Sequence, residues 1–104
     1  MSELNAPEFT ATEGSHVVWK YPITDAPDET IEFAAGSIVR VDFDPQGALC
    51  AWVLVHDKTE TVRRRIVVRG TGDPLPAGTF AYLNTLTRGP FVFHAFVGWP
   101  KGER

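Results

Sequence analysis

No ten-residue stretch of this chain keeps apolar residues at the i, i+3, i+4 spacing of a helix face without a glycine, a proline or a β-branched run breaking it. That excludes a helical scaffold and leaves short apolar runs between turn residues. HVVWKY, from His16, places Val17, Trp19 and Tyr21 on one face and Lys20 on the other, and Pro22 ends the run by withholding a donor. TIEFA is a short strand around Ile31 and Phe33. In SIVRVDFD, Val39, Val41 and Phe43 face inward while Arg40 and Asp42 face outward. Asp44-Pro45-Gln46-Gly47 has the chemistry of a tight turn. LCAWVLVH is apolar on both faces, as a central strand with cover on both sides would be. DKTE is polar and short enough to close a hairpin into TVRRRIVVR. GTGDPLPAG is a rigid connector, and TFAYLNTLT and FVFHAFV form a last pair joined by Arg88-Gly89-Pro90. About seven strands result. The pattern predicts an all-β, single-domain antiparallel β-sandwich, with a small β-barrel as the alternative.

The chain has 104 residues, room for one domain with a core of its own. Residues 1–14 read as a flexible N-terminal tail with too few apolar groups to repay ordering, although Phe9 could dock on the domain. The β domain is expected over 15–99 and a polar C-terminal tail over 100–104. A single cysteine excludes an intramolecular disulfide and suggests a reducing compartment. No apolar run approaches the roughly 18 residues of a membrane span, and no signal-peptide core opens the chain. The net charge of −3 argues against a dedicated nucleic-acid binder. It also hides a split: residues 1–44 carry nine acids and two bases, residues 45–104 four acids and eight bases.

Four stretches occur in a recognisable order. WKYP at Trp19 to Pro22 is followed by Ile31, Phe33, Gly36 and Ile38; then come CAWVLV around Trp52, GTGDPLP at Gly70 to Pro76, and Tyr82 and Thr85 ahead of VFHAF at Val92 to Phe96. In these the chain resembles a family of small uncharacterised proteins encoded by bacteriophages, over roughly residues 16 to 97. The N-terminal tail and the WPKGER end fall outside the resemblance. It implies a phage accessory gene expressed in the host bacterial cytoplasm, and it brings no activity, cofactor or catalytic residue with it.

The residues themselves offer several candidate sites. Arg63, Arg65 and Arg69 share one strand face, with Arg64 opposite, and guanidinium forks bind carboxylates and phosphates at two points. Trp99, or Trp19 with Tyr21, could add stacking. Asp42 or Glu32 could instead neutralise the arginines as cross-strand partners. Gly70-Thr71-Gly72 could offer backbone N–H groups to an anion, but Asp73-Pro74 follows where a phosphate loop would open a helix. His16, His56 and His94 fall on three separate runs with no metal-ligand spacing, so no metal or other cofactor is expected. Cys50 in an apolar strand reads as a small buried hydrophobe rather than a nucleophile. Asp25, Asp28, Glu29 and Glu32 read as a solvated edge.

With no credible catalytic set, the expected function is that of a non-enzymatic accessory protein. It would bind a host or phage macromolecule and modulate host growth, defence or superinfection, through Arg63, Arg65 and Arg69 with Trp19 and Trp99. A protein partner is favoured over nucleic acid, and no membrane is implied. Two alternatives stand beside it: a small-ligand binder that holds a nucleotide or phosphate at the GTG loop, and a self-assembling protein that pairs through an edge strand such as VFHAF.

Overall fold

A computed structural model describes residues 8–24, 28–100 and 102; the first seven residues of the tail, residues 25–27 (with the candidate acid Asp25), and Lys101, Glu103 and Arg104 lie outside the described residues. Among the described residues five strands form: β1 (Val17–Pro22), β2 (Asp28–Phe43), β3 (Leu49–Gly70), β4 (Phe80–Arg88) and β5 (Phe91–Gly98). All pair antiparallel in one open sheet of order β1-β3-β5-β4, with β2 also against β3. The all-β expectation holds, but the strand count is five rather than about seven. TIEFA and SIVRVDFD are two parts of the single strand β2. LCAWVLVH and TVRRRIVVR are likewise parts of β3, with DKTE inside the strand instead of closing a hairpin. VFHAF is not an edge either, because β5 lies between β3 and β4. Among the described residues no helix is long and apolar enough to cross a membrane.

Length forces the shape. A straight strand of 22 residues would reach roughly 70 Å at the usual rise, yet the longest dimension of the molecule is 42 Å. The β2–β3 hairpin therefore doubles over. At the bend, Lys58, Thr59 and Glu60 stand opposite no β2 residue between the pairs Ala34↔Thr61 and Ala35↔Asp57, and His56 stands alone one step further on. This is a wide bulge, which lets a strand change direction without ending. Asp57 holds it: its Oδ1 accepts the Thr59 N–H at 2.9 Å and the Thr59 hydroxyl at 2.6 Å. Across from the bulge, Gly36 packs so closely that a Cβ there would lie 2.1 Å from the Leu54 carbonyl oxygen. A third irregularity, between Ile38 and Arg40, turns Val39 outward, where it is half exposed instead of facing the core.

The doubled sheet encloses one core. Leu49, Ala51, Val53 and Val55 supply it from the first half of β3, and Val62, Ile66 and Val68 from the second, so inward parity switches across the bulge. Ile31, Phe33 and Val41 of β2, Leu86 of β4 and Ala95 of β5 complete it. The far edges meet through a side chain. Asn84, beside a register shift in β4, accepts the Val41 N–H and donates to the Val41 carbonyl, each at 2.9 Å. Its amide completes the ladder of a β2 residue that has no strand on that side. The Asp44–Gly47 turn forms as expected, closed by the Gly47 N–H on the Asp44 carbonyl at 2.8 Å, with Gly47 at φ 86°.

Two variants separate the bend from ordinary turn geometry. Gly36→Ala drives a methyl group into the Leu54 backbone and should cost about 1–3 kcal/mol in denaturant unfolding, the range of overpacked sites. Gly72→Ala meets nothing within 4 Å and should lose only the smaller preference for glycine at positive φ. Equal losses would contradict a bend that depends on close approach at Gly36.

Candidate binding surfaces

The arginine strand divides its work. By strand alternation Arg63, Arg65 and Arg69 share a face, but the connector between β3 and β4 crosses that face and claims two of them. Arg65 is buried, its side chain 4% exposed, and it grips Asp28 with Nε on Oδ1 at 2.8 Å and Nη2 on Oδ2 at 2.7 Å. Its Nη1 donates to the Ala77 carbonyl at 3.0 Å and its plane lies 5.1 Å from the Phe80 ring. The Asp28 hydrogen bonds hold the Arg65 pKa above its usual value, against the cost of burial. Arg69 donates to the Pro74 carbonyl at 3.0 Å and to the Val68 carbonyl at 3.1 Å. The bonds of Arg65 to Ala77 and of Arg69 to Pro74 tie the connector to the sheet. Arg63 is exposed and sits opposite Glu32 in the register, whereas Asp42 pairs with Arg40 on its own strand at 2.9 Å. Trp99 stacks with Arg64, 4.5 Å away, and Trp19 stands beside Val53 on the other half of the sheet. The structure thus does not gather the two tryptophans with the arginine row.

The remaining candidates are also engaged. In the Gly70-Thr71-Gly72 loop, the Thr71 N–H donates to the Val92 carbonyl and the Asp73 N–H to the Gly70 carbonyl, so these two amides are already spent within the fold. The Thr71 hydroxyl bonds His94 Nε2 at 2.7 Å, and His94 Nδ1 faces the Tyr82 hydroxyl at 2.9 Å, with Thr85 beside it. Both ring nitrogens serve to staple the loop to β4 and β5. His16 lies just before β1, bonded to Ser15 at 2.7 Å and 4.8 Å from the Phe9 ring, while His56 is exposed at the bend. No group of three metal-ligating side chains is assembled among the described residues. The acids are dispersed: Asp28 faces Arg65, Glu29 accepts from Thr24, and Glu32 accepts from Thr61. Cys50 is buried, and burial followed by the Asp44 charge pushes its thiol up. Lys20, at 2.9 Å, holds Asp44 below the usual carboxylate range.

An opening that no sequence motif announced lies where the two ends of the folded hairpin meet. A groove of about 610 Å³ has a floor of Phe43, Leu49, Val68, Leu86 and Phe93, with Arg69, Asp73 and Arg88 at its rim. A recess of about 540 Å³ adjoins it, shares Gly70, Asp73 and Phe93, and runs beneath Phe91 and Val92. Phe91 is 63% exposed and Val92 41%, at the tip of the β4–β5 hairpin. Arg88 lies over the Phe43 ring at 4.3 Å and donates from Nη2 to the Gly47 carbonyl at 2.7 Å. In sequence these residues are spread over four strands and a connector, and Arg88 reads only as part of a turn.

No curated protein and no solved structure matches the chain. A family model, a domain of unknown function (DUF7352), matches residues 15–104.

Two measurements check these assignments. Asp28→Ala leaves a buried guanidinium uncompensated and should cost about 3 kcal/mol in unfolding free energy, much of it recovered in Asp28→Leu/Arg65→Met, where the charge itself is removed. A double variant no better than the single would show that the pair is not the cause. Cys50 should stay silent to a thiol reagent at pH 8 in the native protein and react at once in denaturant; rapid native labelling would contradict its burial.

Proposed function

The chain belongs to the DUF7352 family, a family of unknown function, and we propose that it is a non-enzymatic accessory protein of bacteriophage type that binds a host or phage macromolecule. The setting is the host bacterial cytoplasm, and the outcome of binding is a change in host growth, defence or superinfection. One observation carries the reading. Phe91 and Val92 stand exposed at the hairpin tip beside an apolar groove, and exposed apolar side chains grouped in this way mark an interaction surface. Aromatic and arginine side chains dominate interface energetics, and this end presents Phe91, Phe93, Phe43 and Arg88 together. The binding surface thus moves from the row of Arg63, Arg65 and Arg69 to the groove, since Arg65 and Arg69 are committed to the fold. A protein partner fits better than nucleic acid, whose phosphates would need a basic stripe.

A second reading, a small-ligand binder, draws on the size of the groove. About 610 Å³ lies within the range of pockets that enclose drug-sized molecules.

A photo-crosslinking residue at Phe91 tests the first reading in bacterial cells. Illumination should give one or a few discrete protein adducts from position 91 and none from Lys58, at the bend on the far side of the hairpin. No adduct at 91, or the same adducts from both positions, would contradict it.

A further inference from the structure

Arg88, like Arg64, stacks on an aromatic ring and donates to a backbone carbonyl, but of the two it is Arg88 that lines the apolar groove. Arg65 has a carboxylate, Arg69 closes on the connector, Arg64 stacks on Trp99, and Arg63 faces Glu32 in the register. Arg88 is exposed, and among the described residues it pairs with no carboxylate; its contacts are the Phe43 ring and the Gly47 carbonyl. A guanidinium carries five N–H donors in a rigid plane. One is spent on Gly47, and stacking on Phe43 fixes the orientation of the rest. The result is a preorganised cation at the lip of an apolar floor.

The surroundings specify what suits it. The floor of Phe43, Leu49, Val68, Leu86 and Phe93 offers only apolar contact, so the occupant must bring an aliphatic or aromatic side chain. Asp73 stands on the part of the rim shared with the second recess, so negative charge is disfavoured there and favoured at Arg88. The groove and the recess share Gly70, Asp73 and Phe93 in their linings, and the groove is open to solvent, so a chain seated on the floor need not end there. Successive side chains of an extended segment point to opposite sides, and residues two apart point to the same side, about 7 Å from each other.

Building on the protein-binding reading above, we propose that this groove takes an internal, extended segment of a partner protein in which an aromatic or leucine side chain fills the floor and a glutamate or aspartate two residues away is held by Arg88. The apolar side chain supplies the affinity. The carboxylate sets the register, because an amide or a base at the same place would leave the guanidinium without a counter-charge.

Titration of the isotope-labelled full chain with capped short peptides tests this by NMR. Acetyl-Glu-Ser-Phe-Ala-amide should shift the Arg88, Leu86 and Phe93 signals saturably. Replacement of the glutamate by glutamine should weaken binding about fivefold, as expected for one exposed, well-oriented charge pair. Arg88→Gln should weaken the glutamate peptide by a similar factor and leave the glutamine peptide unchanged. Unchanged dispersion of the other signals shows that the variant is folded. No saturable shift, equal binding of both peptides, or 3-phenylpropionate binding as tightly as the peptide would overturn the proposal; the last would make the groove a small-molecule site. Shifts that appear on raising protein concentration alone would assign it to a second copy and also overturn it. Failure here is separable from failure of the protein-binding reading: crosslinks at Phe91 that persist in Arg88→Gln would keep a partner at this end while removing the carboxylate chemistry.

Discussion

The bend in the β2–β3 hairpin is the constraint from which the rest of the molecule follows. A 22-residue strand cannot stay straight inside a protein 42 Å long, so the ladder must fold back on itself. Three unpaired residues on β3 supply the slack, and Gly36 lets the two backbones approach at the corner. Once doubled, the hairpin brings Val53 and Ile66 into one core, with β1 paired to the first half of β3 and β5 to the second. It also brings Phe43 and Leu49, at one end of the ladder, next to Val68 and Phe93 at the other. The groove is the seam of that fold.

Much of the local structure was legible from alternation. Val17, Trp19 and Tyr21 do share a face, the Asp44–Gly47 turn closes as its proline and glycine indicate, and the Arg88-Gly89-Pro90 segment joins β4 to β5. What alternation could not show is continuity. DKTE has the composition of a turn, and its side chains do behave as one, with Asp57 capping Thr59. The strand nevertheless resumes in the same ladder, because a bulge and a hairpin turn share the same residue chemistry. Inward parity changes across that bulge, and a separate irregularity between Ile38 and Arg40 turns Val39 outward against its pattern.

The candidate sites were less legible, since they depend on which segments cross in space. The face shared by Arg63, Arg65 and Arg69 was readable; that a connector made of Gly and Pro would lie across it was not. Arg65 found its carboxylate in Asp28, at the start of β2, rather than in Asp42 or Glu32. Arg88 and Phe43 are 45 residues apart and touch only because the sheet doubles. One signal was available. Asn84 is a poor strand residue in the middle of a strand pattern, and such a residue needs a reason; here its amide bridges two sheet edges.

That bridge gives the most direct test of the doubled sheet. In an NMR experiment on the full chain, the side-chain amide protons of Asn84 should show nuclear Overhauser contacts to the Val41 backbone amide, and the Val41 amide should exchange slowly although β2 has no strand on that side. A rapidly exchanging Val41 amide, with no contact to Asn84, would mean that the hairpin does not fold back and that the groove is not formed.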